Sequence, residues 1–400
     1  MNRKTVTNQT KLRVLFVSHD GGMAGAQRTL LTLLATIDRS RFKPYLLVPN
    51  VGKLSHAAKE MGIPVFIRHM MHWVPGINSV SHRQRFSYLV RTLKTLRARS
   101  WAITHLIENN KIDLVYTNTV TCIEGALAAR MTNTPHIWHI HESILGNTEL
   151  RPLIPFHLYS IIVNILSNAI IFCSTSLAKS YPLPTKKTNI IYNGLPFPPT
   201  FNKADAHDAI TKYLGINPTQ KIVAVVSALQ PRKDHFTFLA AAHEIVKNNQ
   251  EVVFLIVGAG PENYTNSIQK KIESLDLASS VRLIGWWLED KIYEFLAGID
   301  VLVVSSEQES FGLTIIEALA METPVVSTRC GGPEEIIKDG ATGLLVKVKD
   351  HVDMAKAIIH LLNDPPFASN IGVAGRQDVL SRFSEKQYIS GIQQVIEDTI

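Results

Sequence analysis

Ser305-Ser-Glu-Gln-Glu309-Ser-Phe-Gly312-Leu-Thr-Ile-Ile-Glu317-Ala-Leu-Ala320 is the stretch on which the reading of this chain turns. An apolar run, Val301–Val304, leads into it, and its second half is apolar at helical spacing, so Gly312 marks the passage from strand to helix. Glu309 and Glu317 stand eight positions apart, a little over two turns of α-helix, which would bring Glu317 beneath the helix start and onto the same cleft. The first N–H groups of a helix have no partner within it and make a ready anion site. A carboxylate ahead of an anion site and another on its first turns suit a ligand with hydroxyls flanking a diphosphate, as in a nucleotide-sugar.

Outward from this stretch, short apolar runs alternate with helical patterns in both directions, the signature of α/β structure with parallel sheets. In the first half the expected strands are Arg13–Ser18, Tyr45–Val48, Val65–Ile67, Leu114–Thr117, His136–Ile140, Ala169–Cys173 and Ile190–Tyr192. In the second half they are Ile222–Val226, Val253–Val257, Val281–Leu283, Val301–Val304, Val325–Ser327 and Leu344–Val346. Gly194-Leu-Pro-Phe-Pro-Pro-Thr200 between the halves reads as a linker. A chain of 400 residues exceeds one hydrophobic core, so we expect a first domain over 1–198, a second over 199–382 and a last helical segment over 383–400.

The composition, 46% hydrophobic and 19% charged, is that of a folded chain. Three distant cysteines, Cys122, Cys173 and Cys330, argue against a disulfide scaffold and for buried thiols in a reducing cytoplasm. Met1–Lys11 is polar and unlike a signal peptide, and no apolar stretch reaches the ~20 residues of a membrane span. The net charge of +7 is concentrated. From Met61 to Ile107 there is no acid, while Arg68, Arg83, Arg85, Arg91, Lys94, Arg97 and Arg99 alternate with Trp73, Phe86, Tyr88 and Trp101. Leu89, Leu93, Leu96 and Ile103 are expected on one helical face and the bases largely on the other. Such a helix suits either an anionic membrane surface or plain solvation of a helix packed by its leucines. No nucleic-acid-binding motif accompanies the charge, so nucleic acid is not an expected partner.

Four further segments carry chemistry. The first strand ends in Ser18-His-Asp-Gly-Gly-Met-Ala-Gly25-Ala-Gln-Arg28, glycines that let backbone approach a ligand. Pro135-His-Ile-Trp-His-Ile-His141-Glu142 runs a strand into a histidine; His139 lies on the same face one step deeper, and His136 on the other, so the three do not converge on a metal. Ser227-Ala-Leu-Gln-Pro-Arg232-Lys233-Asp234 sets two cations after the first strand of the second half. Val257-Gly-Ala-Gly-Pro-Glu262 lacks the third glycine of a dinucleotide fingerprint, since Asn263 stands there.

Together these segments resemble the retaining GT-B glycosyltransferases of family 4, whose signature is E-x7-E. The resemblance runs from about Lys11 to Phe383. It implies two Rossmann-like parallel-sheet domains facing a cleft, the first for an acceptor and the second for a nucleoside-diphosphate-sugar, with the final helix crossing back to the first domain. Carried over, Glu309 approaches the donor sugar, Glu317 holds the ribose, and the backbone of Phe311, Gly312, Leu313 and Thr314 meets the diphosphate. Lys233 matches the lysine that neutralises the diphosphate; Ala228 replaces the accompanying arginine, and Arg232 is the candidate substitute. Gly25 matches the second glycine of the family's Gly-Gly-Ala-Glu-Arg loop, in which Gln27 replaces the glutamate. His141 matches a histidine close to the donor sugar.

The absence of Asp-x-Asp points to metal-independent transfer and no cofactor. The implied activity is retaining hexosyl transfer from a UDP- or GDP-sugar to a glycan or lipid-linked acceptor, in cell-surface polysaccharide or glycolipid synthesis. The expected place is the cytoplasm or the inner face of the membrane. Alternatives are another GT-B enzyme, an epimerase or phosphorylase, or a non-catalytic nucleotide-sugar-binding protein.

Overall fold

Seven parallel strands form one sheet and six a second, in a computed structural model that describes residues 11–76, 82–145, 147, 149–181, 187–247 and 251–400. Most of the polar N-terminus and residues 77–81 of the acid-free stretch lie outside the described residues. The chain divides into two compact units, one running to Leu195 and including Glu385–Ile400, the other Pro196–Ser384.

The first unit contains β1 (Leu12–Ser18), β2 (Phe42–Val48), β3 (Val65–Ile67), β4 (Leu114–Asn118), β5 (His136–Ile140), β6 (Ala169–Phe172) and β7 (Thr188–Ile190), in the order β3-β2-β1-β4-β5-β6-β7. Its helices are α1 (Gly25–Thr36), α2 (Lys53–Glu60), α3 (Arg85–Asn109), α4 (Glu124–Met131), α5 (Phe156–Leu166), α6 (Thr175–Lys179) and, from the chain end, the helix Glu385–Thr399. That last helix buries Tyr388, Ile389, Ile392, Val395 and Ile396 among Val14, Phe16, Leu30 and Tyr116. β2 begins three residues earlier than its apolar run, passing through Pro44, which pairs with Val14 of β1. The neighbour on the other side, β3, pairs only Leu46–Val48, so no ladder bond is asked of the proline nitrogen. β7 pairs Thr188–Ile190 rather than the expected Ile190–Tyr192.

The second unit contains β8 (Lys221–Val226), β9 (Val252–Val257), β10 (Val281–Gly285), β11 (Val301–Val304), β12 (Val325–Thr328) and β13 (Leu344–Val346), ordered β10-β9-β8-β11-β12-β13. Its helices are α7 (Lys203–Leu214), α8 (His235–Lys247), α9 (Glu262–Ser274), α10 (Ile292–Gly298), α11 (Leu313–Ala320), α12 (Gly332–Ile336), α13 (His351–Asn363) and α14 (Pro365–Arg382); the helix Glu385–Thr399 is therefore α15. Strands buried on both faces, such as the fully buried Val252–Val257, explain the unbroken apolar runs of the sequence.

In each sheet the strand order reverses once, between β1 and β4 and between β8 and β11. Ligands of open α/β sheets bind beyond the carboxyl ends of the strands at such reversals.

In the acid-free stretch Ile103 is buried and Leu89 and Leu96 are half-buried as expected, while Leu93 and Arg99 depart from the pattern. On α3 the buried residues are Thr92, Arg99, Ser100, Ile103, Thr104, Leu106 and Ile107, while Leu93 is 59% exposed. Arg99 is not on the basic outer face. Its Nε lies 2.7 Å from Oε1 of the fully buried Glu124 on α4, so this base packs inward with Ile103.

Candidate active site

The second unit's reversal brings the loops after β8 and β11 together. In the first, Pro231–Lys233 forms a 3-10 turn and Asp234 adopts φ 45°. Asp234 then caps α8, its carboxylate accepting from Thr237 N (3.2 Å) and Thr237 Oγ1 (2.5 Å). The loop is fastened to the other one at both cations: Ser305 Oγ donates to Lys233 O (2.9 Å) and Glu307 N to Arg232 O (2.8 Å).

Glu309 sits at the centre. Its Oε1 pairs with Lys233 Nζ and accepts from Ser306 Oγ at 2.8 Å, and its Oε2 lies 3.7 Å from Arg232 Nη1. Burial pushes the Glu309 carboxyl up, but Lys233 and then Arg232 outweigh it and hold the group below the usual carboxylate range. Arg232 therefore reaches the carboxylate on which Lys233 also converges. Ala228, where the resemblance expects an arginine, brings no charge.

α11 begins just beyond. Gly312 precedes it with φ 119°, a conformation L side chains rarely adopt, so glycine is required there. Phe311 is buried and packs edge-on against Phe383 at 5.5 Å. A Cβ on Gly332 would lie 2.4 Å from Phe311 Cα, so that glycine lets the Gly331-Gly332 turn close against Phe311. Gly332 N donates to Glu309 O (2.9 Å), and Glu309 N to Cys330 O (3.0 Å). Leu313 and Thr314 form the first turn of α11, and Glu317, 2% exposed, lies within its second.

The glycines of Val257-Gly-Ala-Gly have a structural reason. A Cβ on Gly258 would lie 1.8 Å from Ser227 O, and one on Gly260 2.0 Å from Leu229 O. Ser227 N donates to Val257 O and Leu229 N to Ala259 O, both at 3.0 Å. These glycines let the cation-bearing loop lie on its neighbour.

In the first unit, Asn118 at the end of β4 joins two expected residues. Its Oδ1 lies 3.0 Å from His141 Nε2, and its Nδ2 donates to Ala26 O (2.9 Å), next to Gly25 at the start of α1. The side chain of Gln27 accepts from Ala24 N (3.3 Å), so an uncharged residue suffices to cap this helix. Burial pushes the His141 imidazole down to about 3, with His19 adding to the effect. His141 is thus neutral at physiological pH. His139 is fully buried against it, rings 3.9 Å apart, with its Nδ1 2.6 Å from Tyr116 Oη.

Neither Asn118 nor Ser306 is marked by any feature of the sequence. All three cysteines are buried thiols outside any disulfide. Among the described residues, no group of three or more His, Cys, Asp or Glu side chains is placed to hold a metal ion.

Residues 206–378 match the profile of the glycosyl transferases group 1, and residues 23–196 that of glycosyltransferase family 4. The chain belongs to the group 1 glycosyltransferases. It is 30% identical over 260 residues to N-acetyl-alpha-D-glucosaminyl L-malate synthase of Bacillus anthracis, spanning 64% of this chain and 65% of that relative. It is 23% identical over 381 residues to UDP-Gal:alpha-D-GlcNAc-diphosphoundecaprenol alpha-1,3-galactosyltransferase of Escherichia coli, 90% of each chain. The crystal structure of Anabaena HepE in complex with UDP superimposes with a TM-score of 0.78 at 19% identity, over 97% of this chain and 100% of that one. The lipopolysaccharide outer core galactosyltransferase WaaB in its apo form gives 0.70 at 14% identity, over 97% and 100%. The fold of this group 1 glycosyltransferase is GT-B, two parallel-sheet α/β units.

Proposed function

We propose that this chain transfers a hexosyl group, with retention, from a nucleoside-diphosphate-sugar (UDP or GDP) to a glycan or lipid-linked acceptor, without a metal ion. The observation that carries the reading is the convergence of Lys233 and Arg232 on Glu309 immediately ahead of α11. Two cations and a helix start form a fixed positive field, which is what a departing diphosphate needs. The acceptor oxygen bonds to the anomeric carbon on the face the diphosphate leaves. The sugar–phosphate C–O bond breaks, and the leaving phosphate oxygen takes the acceptor proton. Lys233 and Arg232 stabilise that oxygen, and the backbone of Phe311, Gly312, Leu313 and Thr314 holds the diphosphate.

Glu317 is assigned the ribose hydroxyls and Glu309 the sugar hydroxyls. His141 is assigned a hydrogen bond to the donor sugar, which its neutral ring can make, and Gly25 the donor phosphates. The UDP complex of HepE and the UDP-Gal donor of the Escherichia coli relative support a nucleotide-sugar. A transfer assay over a panel of UDP- and GDP-sugars tests the reading.

The proposed place of work is the cytoplasmic face of a membrane. On α3, Phe86 (76% exposed), Leu93 and Trp101 (57%) share the outside with exposed Arg91, Lys94 and Arg97. Apolar groups among bases suit an interface of anionic lipid. No helix among the described residues is long and apolar enough to cross a membrane.

A further inference from the structure

Ser227, one residue beyond β8, opens the loop that carries Arg232 and Lys233, and it has no role in the assignments above. β8 lies beside β11, with Val223 paired to Val301 and Ala224 to Leu302, so Ser227 stands at the carboxyl edge from which the chain also leaves toward Glu309. Its backbone is clamped: Ser227 N donates to Val257 O (3.0 Å), and its carbonyl lies against Gly258. Its side chain is partly exposed.

Two residues hold that side chain from behind. Ser227 Oγ lies 3.2 Å from His235 Nε2, and His235 Nδ1 lies 3.4 Å from Tyr264 Oη. His235 is the first residue of α8 and fully buried. The other large buried side chains of α8, Phe238, Leu239 and Ile245, are apolar, so packing alone does not call for an imidazole here. Tyr264 on α9 belongs to the core of the second unit, its ring edge-on to His235 at 5.8 Å. The serine is thus tied through His235 to a fixed part of the fold.

Burial, and then the charge of Lys233, pushes His235 down to about 4, so the ring is neutral at pH 7. A neutral imidazole has one N–H and one lone pair, and a hydroxyl has one proton. An anion beside Ser227 can be met only by that proton. The ring must then donate from Nε2 to Ser227 Oγ and accept at Nδ1 from the Tyr264 hydroxyl. All three protons point the same way, from the core to the serine and outward, and bonds aligned like this strengthen one another.

We propose that the Ser227 hydroxyl, positioned by His235 and Tyr264, donates a hydrogen bond to the diphosphate of the donor, on a loop whose residue 228 is an alanine without charge. This rests on the transferase reading, for it adds a residue to the donor site. Ser227 is a binding residue in this account, and His235 and Tyr264 are positioning residues.

The probes are UDP and GDP, titrated calorimetrically, and uridine and guanosine, titrated by NMR, on the full chain at pH 7.5. The proteins are wild type, Ser227→Ala, His235→Leu and His235→Gln. Ser227→Ala is expected to bind the nucleoside diphosphate about tenfold or more weakly, the loss of one hydrogen bond to a charged group, and to bind the matching nucleoside as wild type does. His235→Leu should lose as much, while His235→Gln, whose amide N–H can take the place of Nε2–H, should keep most of the affinity. A histidine with only a structural role would move nucleoside and nucleoside diphosphate together. The proposal is overturned if Ser227→Ala binds the nucleoside diphosphate as wild type does, if nucleoside binding falls as far as nucleoside-diphosphate binding, or if His235→Gln falls as far as His235→Leu. Should His235→Leu fail to fold, Ser227→Ala decides. Failure of wild type to bind either nucleoside diphosphate would overturn the transferase reading and this proposal with it, whereas equal binding by wild type and Ser227→Ala would overturn this proposal alone.

Discussion

Lys233 and Glu309, 76 positions apart in sequence, form an ion pair that joins the loops after two adjacent parallel strands. The pair places a cation beside the start of α11 and lowers the pKa of the very carboxylate assigned to the donor sugar. In the proposed mechanism it ties the electrostatics of leaving-group stabilisation to the residue assigned to orient the sugar.

Replacing Lys233 by methionine is expected to lower kcat by roughly 10- to 150-fold, the loss of a charge-assisted hydrogen bond of about 1.5–3 kcal/mol. It also removes the chief countercharge of Glu309, leaving Arg232 at 3.7 Å. The carboxyl pKa then rises, and the acid limb of the pH–rate profile moves to higher pH. Steady-state kinetics over pH check this; unchanged kcat and an unchanged acid limb would separate Lys233 from the chemistry.

Glu309→Ala is expected to act mainly on turnover. The carboxylate is assigned to the sugar, not to the nucleotide, so UDP should bind the variant nearly as it binds wild type while transfer drops roughly 10- to 150-fold. Calorimetry with UDP beside a transfer assay measures the two effects separately. Equal losses in both would show that Glu309 serves general binding.

Activity is expected to survive excess EDTA. In the proposed mechanism Lys233, Arg232 and the start of α11 supply the positive field that a divalent ion gives elsewhere. Transfer is assayed with chelator, then with added magnesium or manganese. Complete loss restored by a divalent ion would contradict the metal-independent step.

Anionic vesicles are expected to retain the protein at low salt and release it at high salt. Each base near such a surface contributes about 1 kcal/mol, screened within about 10 Å at 0.1 M salt. Arg91→Glu, Lys94→Glu, Arg97→Glu should abolish retention without unfolding, because all three are exposed on α3. Arg99 is left out because its pair with Glu124 is buried. Failure of wild type to sediment with phosphatidylserine vesicles would remove the membrane proposal alone.

Lowering pH is expected to destabilise the first unit well before carboxylates titrate. Burial holds His19 at about 4 and His136 and His141 at about 3, against 6.5 for a free imidazole. Between pH 6.5 and 4 the unfolded chain binds protons that the folded chain refuses. Stability therefore rises with pH across that window, by about 1.4 kcal/mol per pH unit for each such histidine once below its free value. Urea unfolding at pH 7.5, 6 and 5 reads this as a falling midpoint.

The sheets were legible because buried parallel strands write continuous apolar runs. The exception is instructive: β7 is an edge strand paired on one side through Thr188, Asn189 and Ile190, so the apolar Ile190-Ile-Tyr192 did not mark its position. On α3, Arg99 departed from the expected pattern for a different reason. A buried arginine reads as a surface residue until its partner is known, and Glu124 is 25 positions away. In the second unit the motif residues Glu309 and Lys233 were visible. Ser306, and the reach of Arg232, depend on how two loops meet. Asn118 is a single polar residue with no spacing to betray it, brought to one end of a sheet only by its strand order.

The measurement that bears most directly on donor binding in the second unit is calorimetric titration of UDP- and GDP-sugars into wild type and Glu317→Ala. At least one nucleotide-sugar should bind wild type, and Glu317→Ala, which removes a buried carboxylate from α11, should weaken it roughly 10- to 150-fold. Binding of no nucleotide-sugar to wild type, or equal binding to both proteins, would contradict the assignment.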